Sequence, residues 1–313
     1  MTKKNILITG GAGFLGTHLC NKLLSDGNYI ICVDNFYSSS RNNIKKFKKN
    51  PNFIFIEQDI CNLDINLKID QIYNLACPAS PVHYQSDPVK TIQTNVLGAV
   101  NILELAKKND AKVLQASTSE VYGDPMISPQ KENYWGNVNP IGVRACYDEG
   151  KRAAETLFFD YYRQYKQRIK VCRIFNTYGP NMAKNDGRVI SNFIIQALTN
   201  QDLSIYGDGS QTRSFCYVDD LVNGLISVMN TDDKFTGPIN LGNDIELSIL
   251  EIAKKIIKLT NSDSSIITLP PLPDDPMQRR PDLSLAKKLI GWNLKIDIDR
   301  GLALTIDYFK NFN

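Results

Sequence analysis

The stretch Ile6-Leu7-Ile8-Thr9-Gly10-Gly11-Ala12-Gly13-Phe14-Leu15-Gly16 decides the fold. A short apolar strand over Asn5–Thr9 runs into a glycine turn, and a helical pattern follows over 14–26. In that pattern Leu15, Leu19 and Leu23 recur every four residues and make one apolar stripe. Gly11, Gly13 and Gly16 read as G-x-G-x-x-G, and Gly10, Gly13 and Gly16 read as its G-x-x-G-x-x-G variant. Glycines there permit a tight turn and let backbone approach a pyrophosphate. The following helix start offers N–H groups and a partial positive charge to the phosphates.

A glycine turn without a ligand would give the same string, so its context matters. The second strand, Tyr29–Asp34, ends in Val33-Asp34. An acid about 20 residues past the glycines accepts hydrogen bonds from a ribose and repels a 2′-phosphate, which favours NAD over NADP. Arg41 a little further on keeps the phosphorylated cofactor open.

Outward from this unit, β-branched runs at 53–58, 71–76, 112–117 and 169–175 alternate with helical patterns at 89–109 and 147–165. Several of these runs are apolar without a period of two, as both-face burial in a parallel sheet requires. The pattern predicts the α/β class: a doubly wound parallel Rossmann sheet with a smaller mixed α/β C-terminal substrate domain. The expected division is 1–175 for the dinucleotide and 176–313 mainly for substrate, with part of 214–245 returning to the first. Shorter helices are expected at 189–199, 249–259 and 283–289, and Leu269-Pro270-Pro271-Leu272-Pro273 reads as a stiff extended segment.

Composition narrows the function classes. Among 313 residues, 42% are hydrophobic and 22% charged, as in an ordinary globular protein. With 36 Lys+Arg against 33 Asp+Glu, the chain lacks the basic excess of a nucleic-acid or membrane-surface binder. The cluster Lys45–Lys49 reads as a solvated face. No apolar run reaches membrane-spanning length, and the first one is broken by glycines too soon for a secretory leader. Seven scattered cysteines and two histidines suggest neither a disulfide framework nor a metal site; a cytoplasmic, reducing setting is expected.

Two further clusters carry chemistry. Tyr147 and Lys151 stand at i and i+4, on one face of a helix. A nearby ammonium favours phenolate, so Tyr147 could take a proton from a substrate hydroxyl. A surface tyrosine beside a solvated lysine gives the same spacing. The fifth strand runs into Ser117-Thr118-Ser119-Glu120, at the strand end where open α/β sheets bind ligands. Thr118 can hydrogen-bond the hydroxyl that Tyr147 deprotonates, although Thr118 and Ser119 could also be simple turn caps.

These features resemble the extended short-chain dehydrogenase/reductase family, which acts on nucleotide sugars, over essentially the whole chain. The resemblance is closest to its UDP-glucuronate-decarboxylating branch. It is carried by 78–84 (PASPVHY), 117–124 (STSEVYGD), 134–151 (YWGNVNPIGVRACYDEGK), 173–180 (RIFNTYGP), 186–193 (DGRVISNF), 206–220 (YGDGSQTRSFCYVDD) and 275–282 (DPMQRRPD). It implies a lyase that holds and recycles NAD: C4 of UDP-glucuronate is oxidised, carbon dioxide leaves the keto acid, and C4 is reduced to give UDP-xylose.

The resemblance also implies residue roles. Tyr147 is the base, Lys151 and Thr118 support it, and Glu120 acts in decarboxylation beside Ser119. Arg279, favoured over Arg280, binds the substrate carboxylate and supports proton delivery. Cofactor contacts are implied at Gly10, Gly13, Phe14, Leu15, Asp34, Asn35, Asp59, Ile60, Leu75 and Ala76, besides Tyr147 and Lys151. Substrate contacts are implied at Pro81, Tyr84, Asn176, Arg188, Tyr206, Gln211 and Arg213, although Tyr206 could simply pack in the core. Helices over 89–109 and 147–165 are implied to pair across a two-fold axis as a homodimer. Ser119 is a poor acid, which argues against 4,6-dehydratases, where an aspartate protonates a leaving hydroxyl. The 4-epimerases generally lack an acid at the place of Glu120. Those two classes remain the enzymatic alternatives. A silent NAD-binding protein, which would lose the tyrosine or the lysine, is the non-enzymatic one.

Overall fold

Along the first strand, β1 (Asn5–Thr9), Ile6 and Ile8 enter one hydrophobic cluster and Leu7 enters another. In β2 (Tyr29–Asp34), Ile30 and Cys32 face the first cluster while Ile31 and Val33 face the second. Both faces of these strands are therefore buried, which is why their sequences are apolar without alternation. The computed structural model describes residues 3–184, 186–271 and 276–311.

The strands β1, β2, β3 (Phe53–Glu57), β4 (Gln71–Asn74), β5 (Lys112–Thr118), β6 (Ile169–Ile174) and β7 (Ile239–Leu241) form one parallel sheet. Its order is β7-β6-β5-β4-β1-β2-β3. The chain builds outward from β1 to β3 on one side and from β4 to β7 on the other, so the order reverses between β1 and β4. Such a reversal opens a crevice at the strands' C-terminal ends.

Helices α1 (Phe14–Ser25) and α4 (Val218–Met229) pack together on one face of the sheet. Helices α2 (Pro88–Asn109) and α3 (Ala145–Tyr165) pack together on the other, where Ile102, Leu103 and Phe158 are fully buried. Each such side chain contributes about 1.5–3 kcal/mol on leaving water. The first hydrophobic cluster continues without a break from α1 through α4 to Trp292, Leu302 and Phe309.

The last strand, β7, pairs with β6 after more than sixty residues of intervening chain, with Ile239 opposite Cys172. The remaining C-terminal elements stand over the C-terminal edge of the sheet. They include helices Val189–Leu198, Ile249–Thr260 and Ile298–Lys310. A three-stranded sheet there joins Glu246–Ser248, Thr212–Ser214 and Gln278–Arg279. Strand Ile266–Leu269 pairs in parallel with Leu203–Tyr206. That strand takes up Leu269, the start of the proline-rich run; Leu272 and Pro273 lie outside the described residues.

Element bounds differ from the sequence reading by one or two residues. The largest difference in β4 has a cause: it stops at Asn74 because Leu75 and Ala76 turn toward the glycine loop, and the Leu75 N–H donates to Thr9 O. Lys45, Lys46, Lys48 and Lys49 are exposed around a buried Phe47. No described helix is long and apolar enough to cross a membrane.

Candidate active site

The crevice holds a cavity of about 770 Å³, and its floor is the glycine loop. Gly10 has φ +64°, and a Cβ on it would lie 3.0 Å from backbone atoms of Ala76. At Gly16 a Cβ would meet Gly10 O at 2.2 Å. The loop therefore packs backbone on backbone, and only glycine satisfies both positions. Helix α1 starts at Gly13 with no side-chain cap, which leaves its N-terminal dipole directed into the cavity.

Asp34 is almost fully buried at the end of β2. Its carboxylate accepts from Ala12 N–H at 3.0 Å, Phe36 N–H at 2.8 Å and Ser39 Oγ at 2.8 Å. Burial pushes its carboxyl up, against those three bonds. Asp34 thus ties the second strand to the glycine loop and also lines the cavity. Arg41 does not line the cavity; it pairs with Glu57 at 2.6 Å and lies over the Phe36 ring. The 2′-phosphate partner that the sequence left open is therefore committed elsewhere.

Asn35, Asp59, Ile60, Leu75, Ala76, Phe14 and Leu15 also line this end. Asp59 accepts from Asn35 Nδ2 at 3.0 Å and pairs with Lys90 at 2.6 Å. That lysine, on α2, was not singled out in the sequence; its only signal there is its place in a helix first turn.

Toward the middle of the cavity stand Thr118, Ser119 and Glu120 at the end of β5, and Tyr147 and Lys151 on α3. Helix α3 begins at Ala145, so Tyr147 sits in its first turn and Lys151 one turn on. Both are buried, not a solvated surface pair. The Tyr147 ring stacks on Tyr84, with centroids 5.1 Å apart. Thr118 lines the same stretch of the cavity. Burial drives the Tyr147 phenol well above its ordinary range, and Thr118 opposes this.

The Lys151 ammonium donates to Ala116 O at 2.9 Å and lies 5.7 Å from the Tyr147 ring centre. Burial also pulls the Lys151 ammonium down.

Glu120 carries the strongest charge cluster. Its Oε1 accepts from Arg279 at 2.7 Å and its Oε2 from Arg144 at 2.5 Å. Burial would raise its carboxyl, but Arg279 and then Arg144 outweigh this and hold it down to about 2. The sequence reading set Arg279 against the substrate carboxylate. The structure seats it behind Glu120, outside the large cavity, with further bonds to Ser119 Oγ at 3.0 Å and Gly123 O at 2.8 Å. Arg280 turns away and pairs with Glu246 at 3.3 Å. The arginine that lines the large cavity beside Glu120 is Arg144, just before α3. It was missed because nothing in the local pattern sets it apart from a surface residue.

The far end is lined by Pro81, Tyr84, Asn176, Arg188, Tyr206, Gln211 and Arg213. Arg188 pairs with buried Asp186 through both carboxylate oxygens and lies 5.6 Å from the Phe14 ring centre. Gln211 donates to Tyr206 O at 2.6 Å. Tyr206 is 41% exposed at the cavity rim, so it is not a core residue. Arg213 is buried and donates to Thr212 O at 2.8 Å. Every sequence-derived site residue except Arg279 meets this one cavity.

The donor set fits a dinucleotide. Gly10 and Gly16 leave no room for a Cβ where backbone meets the cavity, and the helix start carries no side-chain cap. All seven cysteines are unpaired, and no described cluster of three His, Cys, Asp or Glu could hold a metal.

Residues 6–242 match the NAD dependent epimerase/dehydratase family. UDP-glucuronic acid decarboxylase 5 of Arabidopsis thaliana is 53% identical over 306 residues, covering 97% of this chain and 89% of that protein. UDP-glucuronic acid decarboxylase 1 of Danio rerio is 52% identical over 308 residues, covering 98% and 73%. Among solved structures, the UDP-glucuronic acid 4-epimerase of Bacillus cereus, in complex with UDP-glucuronic acid and NAD, superposes with a TM-score of 0.89. It is 30% identical and covers 99% of this chain and 100% of its own.

Proposed function

The chain belongs to the NAD-dependent epimerase/dehydratase family, and from that premise we propose that it decarboxylates UDP-glucuronate to UDP-xylose. The observation that carries this reading is the decarboxylase identity of relatives more than half identical over nearly the whole chain. It is supported by a carboxylate, Glu120, held ionised beside the tyrosine–threonine pair.

When bound, NAD supplies an acceptor that makes C4 a ketone and a donor that removes that ketone. The residues at Gly10, Gly13, Phe14, Leu15, Asp34, Asn35, Asp59, Ile60, Leu75 and Ala76 would hold it. Arg188, Arg213, Gln211, Tyr206, Asn176 and Pro81 would hold the UDP end of the sugar nucleotide, because guanidinium groups suit phosphates.

Tyr147 takes the proton of the C4 hydroxyl, and Thr118, which lines the same cavity, can hydrogen-bond that hydroxyl. Lys151 stabilises the charge that forms on the phenol oxygen. Loss of carbon dioxide directly from the sugar would leave an unstabilised carbanion at C5. Beside a C4 ketone the same electrons enter an enolate. Glu120 and Arg144, paired at the cavity wall, orient the substrate carboxylate so that carbon dioxide leaves beside the C4 ketone. Arg279 and Arg144 keep Glu120 ionised through the step. Tyr147 finally returns its proton to the C4 oxygen. Ser119, which donates no proton readily, suits a reaction without a departing hydroxyl.

On this reading residues 1–175 hold the dinucleotide and 176–313 mainly the sugar nucleotide, with part of 214–245 returning to the first unit. The assembly is a homodimer through α2 and α3; exposed Val89, Ile92 and Leu97 on α2 favour such a face. The setting is cytoplasmic, which suits seven unpaired cysteines.

The test is incubation of the purified protein with UDP-glucuronate and no added reductant, followed by mass spectrometry. UDP-xylose is the expected product. UDP-galacturonate, of unchanged mass but separable by chromatography, would overturn the reading in favour of an epimerase like the Bacillus cereus neighbour.

A further inference from the structure

The proposed reaction, on which this inference rests, consumes one proton per turnover. A carboxylate leaves as carbon dioxide, and C5 takes a hydrogen in its place. The proton that Tyr147 removes from the C4 hydroxyl returns to the C4 oxygen, so C5 needs a second source.

Behind Glu120 lies a second cavity of about 180 Å³. Glu120 and Arg144 line both cavities and form the wall between them. The second cavity is also lined by Asp148, Arg279, Asn137 and Val138. Asp148 Oδ1 and Arg279 Nε, buried atoms of two lining residues, have no partner among the described residues. The cavity volume accommodates several water molecules against the side chains that line it.

We propose that Asp148 and the water-accessible cavity behind Glu120 deliver the proton that C5 receives. The bond between C5 and the carboxylate carbon breaks, and its electron pair enters the enolate. That pair then takes a proton passed from the Asp148 carboxyl through cavity water and across the hydrogen-bonded Glu120–Arg144 wall, and Asp148 is left as carboxylate. Bulk solvent replaces the proton at Asp148.

The surroundings suit a proton store. Burial and then Glu120 push the Asp148 carboxyl up to about 7, while Arg144 and Arg279 oppose them. Glu149, Cys146 and Tyr147 from α3 and Tyr84 from the helix Pro81–Ser86 also face it, and Asp124 stands at the cavity mouth. Asp148 touches no part of the large cavity, so its role is positioning and relay, acting through water.

The experiment uses the full-length, NAD-loaded protein and its Asp148→Asn variant. UDP-xylose formation and the appearance of NADH absorbance after mixing with UDP-glucuronate are followed separately, in water and in deuterium oxide. The variant is expected to lose at least tenfold in UDP-xylose formation while NADH appears within twofold of the native rate. Its solvent isotope effect on product formation should rise. The native enzyme's product formation should decline as pH rises through about 7, and this decline should be absent from the variant. Asp148→Glu should restore it.

Val138→Phe, which fills the cavity without touching Asp148's charge, should reproduce the split between the two rates and serves if Asp148→Asn does not fold. Product formation within twofold of native in either folded variant overturns the proposal. So does an equal fall in NADH appearance and product formation. Native protein that makes no UDP-xylose refutes the assigned reaction instead, which keeps the two failures apart.

Discussion

Replacing Arg279 with leucine should destabilise the protein in a pH-dependent way, because the arginine acts on Glu120. The Glu120 carboxyl is held down to about 2 from an ordinary 4.5, against a burial that alone would raise it. A folded-state value below the unfolded one contributes stability above the unfolded value, and that stability is lost as pH falls through the folded value. A shift of this size amounts to about 3 kcal/mol at pH 7. At about pH 3.5, where about three fifths of the shift still operates, it amounts to about 2 kcal/mol. Arg279 is the largest of the groups pulling Glu120 down, and leucine fills similar space without charge. The loss in Arg279→Leu should therefore approach about 3 kcal/mol at neutral pH and shrink by about two fifths at about pH 3.5. Urea unfolding at pH 7 and pH 3.5, followed by tryptophan fluorescence and circular dichroism, measures both. An equal loss at the two pH values would refute the reasoning, since it would trace the effect to packing and to the bonds with Ser119 and Gly123 O.

Tyr147→Phe should lower turnover of UDP-glucuronate by about 10²–10⁴-fold while NAD content after purification stays near native, read by product formation and by released cofactor absorbance. Gly16→Ala sets a Cβ at 2.2 Å from Gly10 O; it should cost about 1–3 kcal/mol and weaken NAD retention, both measurable by thermal unfolding with and without the cofactor. Glu155 pairs with Arg173 through two bonds of 2.7 and 2.9 Å and accepts from Ser117 Oγ, all under the β5–β6 strands. Glu155→Gln should cost about 3–5 kcal/mol by leaving a buried guanidinium unpaired, and an unchanged denaturation midpoint would contradict that.

The dinucleotide end was legible from residues near one another in the chain. A glycine turn, a helix without a cap and an acid ending the next strand are consequences of local backbone geometry, and each is written within the first 34 residues. Tyr147 and Lys151 were legible for the same reason, because helical spacing alone sets them on one face. Their titration was not. The spacing says that an ammonium is near a phenol, but burial, the largest influence on each group, depends on what covers the helix.

The cluster behind the sugar site came only from tertiary structure. Arg279 reaches Ser119 and Glu120 because the strand Gln278–Arg279 joins a small sheet with Thr212–Ser214 over the edge of the main one. Nothing local in DPMQRRPD distinguishes the inward arginine from Arg280. Arg144 and Asp148 flank a recognisable tyrosine, yet their meaning lies in the two cavities that share Glu120 as a wall. Short-range spacing dictates the dinucleotide loop, the catalytic pair and six strands of the sheet; the three-residue strand Ile239–Leu241 is too short to stand out in the chain. The tertiary structure alone decided which charges lie behind Glu120 and which of them are dry, because pairing and desolvation are properties of neighbours distant in the chain.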